Sequence, residues 1–179
     1  MDKIFWGFLL LFIDFKLNLG SCTINLLPGW LGYLFLLQGA TQMLPESELF
    51  EKVRPWCTGM MIYNGALWVM DILGTDIELI WVNVLLMLIS VLGQLYVSYL
   101  FIRALMNVEQ HREADLQCAY LDKVWRVVAG ADVLSIVMLI IPVFAIISVL
   151  VAFVAGIFFL VAVHRTRKAY HAHYAVNNS

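Results

Sequence analysis

Long apolar stretches separated by short polar segments run through the chain, and most of the stretches have the length of a membrane-spanning helix. Such a helix needs ~20 mostly apolar residues to cross ~30 Å of hydrocarbon. The pattern predicts an all-α polytopic membrane protein, in which a bundle of six transmembrane helices forms a single domain over residues 1–179. The predicted helices cover residues 4–19, 27–44, 55–73, 77–105, 124–141 and 142–163, and a basic tail follows at 164–179.

Prolines and polar residues indicate where these helices begin and end. Pro28, Pro55 and Pro142 each stand at the start of a predicted helix, where the missing N–H has no helical partner to lose. Asp14 and its polar neighbours fall in the second half of the first stretch, so helix 1 has the weakest pattern of the six. The charged segment 107–122 is expected to extend helix 4 or helix 5 beyond the lipid.

The last apolar region, 124–163, has two interpretations: a helical hairpin that turns near Pro142, or one long helix kinked there. A single helix over this region would be ~60 Å long, about twice the thickness of the hydrocarbon layer. It would also divide the Lys and Arg residues seven to four between the two sides, whereas the hairpin divides them ten to one. Both arguments favour the hairpin.

The positive charges indicate the orientation of the bundle. Cytoplasmic loops retain Lys and Arg, so both termini are predicted to be cytoplasmic in a multi-pass protein of the inner (cytoplasmic) membrane. Of the eleven Lys and Arg residues, only Lys16 falls toward the other side. The ten on the side of the N-terminus are Lys3, Lys52, Arg54, Arg103, Arg112, Lys123, Arg126, Arg165, Arg167 and Lys168.

Composition makes the lipid bilayer the expected partner of most of the surface. The chain is 63% hydrophobic and 13% charged, with a mean hydropathy of +0.87. A soluble domain is ~25% charged, and one of this length has too little interior to bury so much apolar surface. Because the basic residues are confined to short cytoplasmic segments, nucleic-acid binding is not expected. The basic tail is expected to contact anionic headgroups.

A weak repeat places three polar side chains at a similar depth. Helices 1, 3 and 5 each carry a tryptophan near the cytoplasmic start, seven or eight residues before Asp14, Asn64 and Asp132 respectively; these are Trp6, Trp56 and Trp125. If the tryptophans mark the interface, these side chains lie ~10–12 Å deeper, near mid-membrane. An intramembrane carboxylate usually faces the bundle interior or a water-filled cavity, so the three residues are candidate ligands for a small solute or ion. The alternatives are structural hydrogen bonding between helices and a position of Asp14 closer to the outer interface.

Small residues predict close helix packing. Ser148, Ala152 and Gly156 recur every four residues in helix 6, and Gly32 and Gly39 share a face of helix 2. Residues of this size let two helix backbones approach closely, so that dispersion forces hold the helices together within lipid. Packing inside one chain is the favoured interpretation. Contact with a second copy or with another membrane protein is the alternative.

Motifs for catalysis or metal binding are missing from the sequence. It contains no G-x-S-x-G, H-E-x-x-H, Walker A or G-x-G-x-x-G element, so no enzyme activity, cofactor or metal is predicted. Cys22, Cys57 and Cys118 form no C-x-x-C motif, and the predicted topology makes no two of them obvious disulfide partners. The histidines of the tail have no converging arrangement that would hold a metal.

Three segments carry a resemblance to known sequences. They are FWGF at 5–8, which leads into Asp14, INLLPGWLGY at 24–33, and ESELFEKVRP at 46–55. Together they resemble a group of uncharacterised multi-pass membrane proteins of Gram-positive bacteria, in which a short first hydrophobic helix leads into an I-L-P-x-x-x-G-Y-like element. The resemblance covers about the first third of the chain. It implies a multi-pass membrane protein and supplies no activity, cofactor or site residue.

These features favour an integral membrane protein that binds or translocates a small solute or ion through a polar site at mid-membrane depth. The alternative is a non-transporting accessory, sensor or immunity protein that acts by helix–helix contact with a membrane partner. Length and helix count also fit a substrate-binding subunit of an energy-coupling-factor transporter, but helix 1 lacks the A-x-x-x-A-type docking pattern expected there. A membrane enzyme is the third class.

Overall fold

A computed structural model of the chain describes residues 1–12, 16–19, 22–25, 28–74, 79–112, 115–138 and 142–177. Within these residues the fold is helical, as predicted, except for one short antiparallel β-hairpin near the N-terminus. The elements in chain order are α1 (Asp2–Phe12), β1 (Lys16–Leu19), β2 (Cys22–Asn25), α2 (Gly29–Gln42), α3 (Leu49–Ile72), α4 (Ile80–Arg112), α5 (Cys118–Met138) and α6 (Pro142–Asn177).

The first predicted helix, 4–19, is wrong in its second half. α1 ends at Phe12, and β1 pairs antiparallel with β2. Along β1 the polar Lys16 and Asn18 alternate with leucines, which is the period of a strand rather than that of a helix. The threonine and isoleucine of β2 are β-branched and favour extended backbone. With 11 residues, α1 is ~16 Å long, about half the thickness of the hydrocarbon layer.

Pro28 and Pro55 were both predicted to stand at the start of a helix, and only Pro28 does so. Pro28 is the N-cap of α2 with φ −65° and ψ 131°, so it precedes the helix directly. α3 begins at Leu49, earlier than predicted, and Pro55 therefore lies inside it. α3 ends where Gly74 takes a φ of +62° and its N–H donates to the carbonyl of Asp71 at 3.2 Å. A left-handed glycine of this kind is a common end of a helix.

The second half of the chain agrees better with the predicted pattern. α4 continues through the charged segment to Arg112, as one of the two expected extensions requires. α5 ends at Met138 and α6 begins at Pro142, and the contact of Arg165 with Tyr120 agrees with a hairpin in which the two helices run back along each other. The basic tail, 164–179, is not a separate segment, because α6 continues through it to Asn177.

Contacts between side chains show that neighbouring helices run antiparallel. Between α3 and α4, the hydroxyl of Tyr63 donates to the carbonyl of Leu86 at 2.7 Å, and the rings of Phe50 and Phe101 lie 6.0 Å apart. The two helices therefore pass each other in opposite directions. Between α5 and α6, the guanidinium of Arg165 lies 5.5 Å from the ring centroid of Tyr120 near the start of α5. The later part of α6 therefore lies beside the beginning of α5.

Both ends of the described chain lie at the same end of the bundle. Asp2 forms an ion pair with Arg167 of α6, with 2.6 Å between Oδ1 and Nε. The α2–α3 and α4–α5 connections lie at this terminal end too, where Arg112 pairs with Glu46 at 3.1 Å. The junction between α3 and α4 lies at the opposite end, which we call the far end. All ten cations assigned above to one side belong to the terminal half.

α1 packs closely against α2 and α6 through glycines. A Cβ added at Gly39 would lie 2.6 Å from Cγ1 of Ile4, and one at Gly32 would lie 2.7 Å from a leucine side chain of α1. On the α6 side, a Cβ at Gly156 would lie 2.7 Å from Cδ1 of Phe12. These distances leave no room for a larger residue, so the glycines set the spacing of the three helices.

The two halves of the bundle differ in how well they bury apolar side chains. In the terminal half, Phe50 and Phe101 are completely buried. In the far half, Leu73 is 69% exposed and Trp81 is 80% exposed, together with many other large apolar residues of α3, α4 and α6. Exposed apolar surface on this scale marks contact with lipid or with a partner.

The length and hydropathy of the helices give a further indication of membrane association. Among the described residues, one helix is long and apolar enough to cross a bilayer, over Trp81–Arg112. Only 22% of its most apolar window is buried inside the protein. The rest of this window is half-buried or exposed.

Candidate functional site

Polar and aromatic side chains occupy the faces of α3 and α4 that meet in the far half of the bundle. On α3, Asn64, Trp68 and Asp71 recur at positions i, i+4 and i+7 and therefore share a face. On α4, Ser90 and Gln94 recur at i and i+4. Because α3 and α4 are antiparallel neighbours, the two faces line the same space.

This space is a cavity of about 370 Å³, bounded by α1, α2, α3 and α4. We call it the α1–α4 cavity. α1 contributes Leu10 and Leu11 to its wall, and α2 contributes Gly29 at its first turn. The volume falls in the range of small-molecule sites, ~300–1,000 Å³. The described wall residues that carry polar side-chain atoms are Tyr33, Asn64, Trp68, Asp71, Ser90 and Gln94.

Asn64 is oriented by its own helix. Its Nδ2 donates to the carbonyl of Met60 at 2.8 Å. Its Oδ1 faces α2, 3.5 Å from the point where a Cβ on Gly29 would stand. Because an amide oxygen accepts hydrogen bonds, Asn64 presents an acceptor between α2 and α3.

Trp68 supplies the largest aromatic surface of the cavity wall. Its ring lies 6.2 Å from the ring of Trp30, with the planes inclined by 64°. Such edge-to-face pairs are favourable at centroid distances of 4.5–7 Å. The start of α2 therefore fixes the position of the Trp68 ring one turn before Asp71.

Asp71 is the one charged residue among the described residues of the cavity wall. It stands in the last turn of α3, which contains no basic residue. The free carbonyl groups at a helix C-terminus carry a partial negative charge, so an aspartate in this position adds to it instead of neutralising it. The cavity is therefore electronegative at the far end of α3.

A second, much smaller cavity lies deeper in the bundle, and we call it the Asp132 pocket. It measures about 10 Å³, which is the size of one water molecule. Asp132, Gln94, Ser98 and Trp125 supply its polar wall, and phenylalanines of α1 and α6 supply much of the rest. The indole N–H of Trp125 donates to Oγ of Ser98 at 2.9 Å, and that hydroxyl donates to the carbonyl of Leu95 at 2.9 Å.

The structure brings only some of the predicted site residues together. Asn64 lines the α1–α4 cavity and Asp132 lines the Asp132 pocket, so they share no described cavity. Gln94 belongs to both walls and separates the two spaces. Asp14 lies outside the described residues.

The tryptophans used as depth markers in the sequence argument do not share one environment, and only one of the small residues of α6 can be described. Trp6 is 50% exposed, whereas the Trp125 side chain is partly buried and hydrogen-bonded inside the bundle. Gly156 contacts α1 within the same chain. The side chains of Ser148 and Ala152 lie outside the described part of α6.

Sequence reasoning did not join Asp71, Trp68, Ser90 and Gln94 into one site with Asn64. It compared residues by their depth from an interfacial tryptophan and treated each helix separately. The useful signal was helical spacing: Asn64 and Asp71 are seven apart, so they share a face of α3. Ser90 and Gln94 are four apart and share a face of the next helix.

No cluster of three or more metal-ligating side chains is found among the described residues. The chemistry available in the α1–α4 cavity is therefore recognition by one carboxylate, by amide and hydroxyl groups and by aromatic rings. No known protein family, curated protein or solved structure matches the chain.

Proposed function

We propose that this chain is a multi-pass membrane protein that binds a small polar solute in the α1–α4 cavity. The observation that carries the proposal is the cavity itself. It places polar side chains of two helices in one space of about 370 Å³, in a half of the bundle whose outer surface is apolar. Polar groups are costly in lipid, so within a membrane they usually face the bundle interior or a water-filled cavity, which often serves binding or transport.

The membrane part of the proposal is supported by the exposed apolar surface and by the length of α4. With 33 residues, α4 is ~50 Å long and would cross the hydrocarbon layer with about 20 Å to spare. The spare length corresponds to its charged C-terminal turns. The short α1 and α2, joined by the hairpin, would form a pair that fills part of the layer beside the longer helices.

The orientation follows from the positive charges. Since the cations gather in the terminal half, we place the terminal end in the cytoplasm, with both termini, and the far end outside. Asp71 then stands near the external face, and we expect a solute to enter the α1–α4 cavity from that side. Binding from outside is the simplest role, and translocation would require a second state that opens toward the terminal end.

Cysteine accessibility tests the water-filled cavity directly. In a Cys22→Ala background, Ser90→Cys places a thiol in the cavity wall, and Leu92→Cys places a matched thiol two residues further along α4. Leu92 is 56% exposed on the apolar surface. Only a hydrated thiol ionises and reacts readily with polar methanethiosulfonate reagents.

The expected result is modification of Ser90→Cys in intact cells by a reagent that does not cross membranes, while Leu92→Cys stays unmodified. Equal inertness of the two thiols in intact cells and also in permeabilised cells would exclude a solute-accessible cavity. Equal reactivity of the two would contradict the assignment of Leu92 to the lipid-facing surface.

A further inference from the structure

We infer that the solute of the α1–α4 cavity is a small organic cation, held by the carboxylate of Asp71 and by the ring of Trp68. This inference rests on the proposed function, because it requires the cavity to admit a solute. It adds the chemical class of that solute. Three properties of the wall support it: charge, aromatic surface and the nature of the hydrogen-bonding groups.

The charge of the wall favours a cation. Asp71 is its one charged residue in the described part, and no described residue forms an ion pair with it. It also stands at the negative end of the α3 dipole, where a carboxylate is normally disfavoured. A bound cation would neutralise both the carboxylate and the partial negative charge of the helix end. An anion would be repelled by both the carboxylate and the helix end.

The aromatic surface favours an organic cation over a metal ion. Trp68 precedes Asp71 by one helical turn, so its ring and the carboxylate lie on the same face of α3. An ammonium group within ~6 Å of an indole ring gains cation–π attraction, which is largest for tryptophan. A hard metal ion would need several converging oxygen ligands, and the described wall offers a single carboxylate.

The remaining polar groups suit a ligand that carries N–H groups. Oδ1 of Asn64 is an acceptor, and Ser90 and Gln94 offer a hydroxyl and an amide on the opposite wall. About 370 Å³ is at the lower end of the range for ligand sites, so the cation must be small. A protonated amine of a few carbon atoms fits all of these conditions, and a quaternary amine of that size meets those of charge and volume.

Two thiol reagents of opposite charge test the inference on the Ser90→Cys protein. One carries an ethyltrimethylammonium group and the other an ethylsulfonate group on the same methanethiosulfonate. Each rate is divided by the rate of that reagent with a free thiol in solution. We expect the normalised rate of the cationic reagent to exceed that of the anionic one by roughly tenfold or more.

Two carboxylate variants locate the source of the preference. Asp71→Asn, which keeps the shape of the side chain, should bring the ratio close to one. Asp132→Asn is the matched control, because Asp132 lies in the other pocket, and it should leave the ratio unchanged. Asp71→Glu keeps the charge and should keep most of the preference. Monodisperse elution in detergent confirms that each variant is folded.

Protection separates organic from inorganic cations. Tetramethylammonium chloride should slow the modification of Ser90→Cys, whereas sodium chloride at equal ionic strength should not. Equal protection by the two salts would overturn the organic class. Equal normalised rates of the two reagents, or a ratio unchanged in Asp71→Asn, would overturn the cation preference and leave the proposed function standing. Inertness toward both reagents would overturn the proposed function itself.

Discussion

Asp2 and Arg167, from the first and last helices of the chain, form an ion pair in which Nε of Arg167 donates to Oδ1 of Asp2 at 2.6 Å. The same oxygen lies 3.2 Å from Nε2 of His171. The Arg167 guanidinium also lies 5.1 Å from the ring centroid of Phe5, one turn along α1. These contacts hold the N-terminus of α1 against α6. They therefore help to position the short helix, which lines both cavities.

Removal of this ion pair should have a small effect that depends on pH. Burial acts to raise the pKa of Asp2, but the hydrogen bond with His171 and the charge of Arg167 outweigh it, and the pKa lies below its usual value. A lowered folded-state pKa stabilises the fold above the unfolded pKa, and this stabilisation is lost as pH falls through the folded value. Asp2→Asn should therefore cost ~0.2–1 kcal/mol at pH 7, the range of exposed ion pairs.

The measurement is the thermal midpoint in detergent, compared between Asp2→Asn and the parent from pH 7 downward. The difference in thermal midpoint between the two proteins should narrow below pH ~4, where the Asp2 carboxylate of the unfolded chain becomes protonated. Glu51→Gln is a suitable control, since Glu51 is also an acid in the first turn of a helix and has no described ion pair. A difference that persists unchanged at low pH would contradict the ionic origin.

Two glycine substitutions should change stability in opposite directions. A Cβ at Gly39 would lie 2.6 Å from Cγ1 and 3.0 Å from the backbone nitrogen of Ile4, which is buried and has no space to move into. Gly39→Ala should therefore cost ~1–3 kcal/mol. Gly59 is also helical but has nothing within 4 Å of its would-be Cβ, so Gly59→Ala should stabilise by ~0.5–1 kcal/mol through helix propensity. A midpoint that does not fall in Gly39→Ala would show that the α1–α2 contact is looser than described.

The hydrogen bond from Trp125 to Ser98 should be measurable by a double-mutant cycle. Ser98 is 5% exposed, so Ser98→Ala would leave the indole N–H without its partner at a cost of ~1–3 kcal/mol. In the Trp125→Phe background no N–H remains to be satisfied, and Ser98→Ala should cost less. The cycle should give a coupling energy of ~0.5–1.5 kcal/mol between the two sites. A coupling near zero would mean that the two side chains do not bond in solution.

The part of the fold that could be predicted from sequence is the part governed by length and charge. The α5–α6 hairpin was predictable because a single helix over 124–163 is too long for a bilayer and separates the cations. The error at β1 has the opposite origin. Average hydrophobicity over a long window hid the alternation of Lys16 and Asn18 with leucines, and that alternation decided the local structure.

The candidate site was only partly predictable, for a geometric reason. The spacing from a tryptophan let Asn64 and Asp132 be predicted as intramembrane polar groups, although Trp125 is hydrogen-bonded inside the bundle. Which helices are neighbours, and which faces meet, depends on packing. Close contacts such as that of Gly39 with Ile4 determine this packing, and their partners are not encoded locally. Asp71 could be assigned to the site only from the structure, which shows that α3 and α4 are antiparallel neighbours.

Cys118 should be unreactive in the folded protein despite its place among the charged segments. Burial raises the pKa of its thiol, and the nearby carboxylate of Glu109 raises it further. The side chain is completely buried at the start of α5, where Oε1 of Glu109 accepts the backbone N–H of Cys118 at 3.4 Å. Because the thiolate is the reactive form, labelling by a water-soluble maleimide should rise at least about tenfold on denaturation. Rapid labelling of the native Cys22→Ala, Cys57→Ala protein would contradict this burial.

Reporter fusions should place the far end of α3 and the C-terminus of the chain in different compartments. Leu73 lies at the far end of the bundle and the C-terminus follows α6 at the terminal end, so the positive charges assign residue 73 to the exterior and residue 179 to the cytoplasm. A fusion after Leu73 should give active alkaline phosphatase and no fluorescence from a green fluorescent protein, and a fusion after Ser179 should give the reverse. Replacement of Arg165, Arg167 and Lys168 by Gln, with three Lys added after Gly74, is the matched test of cause. This variant should weaken or invert the difference in reporter signal between residues 73 and 179, because Lys and Arg near the helix ends determine orientation. A cytoplasmic signal at residue 73 in the parent chain would reject this topology and move the opening of the α1–α4 cavity to the other side of the membrane.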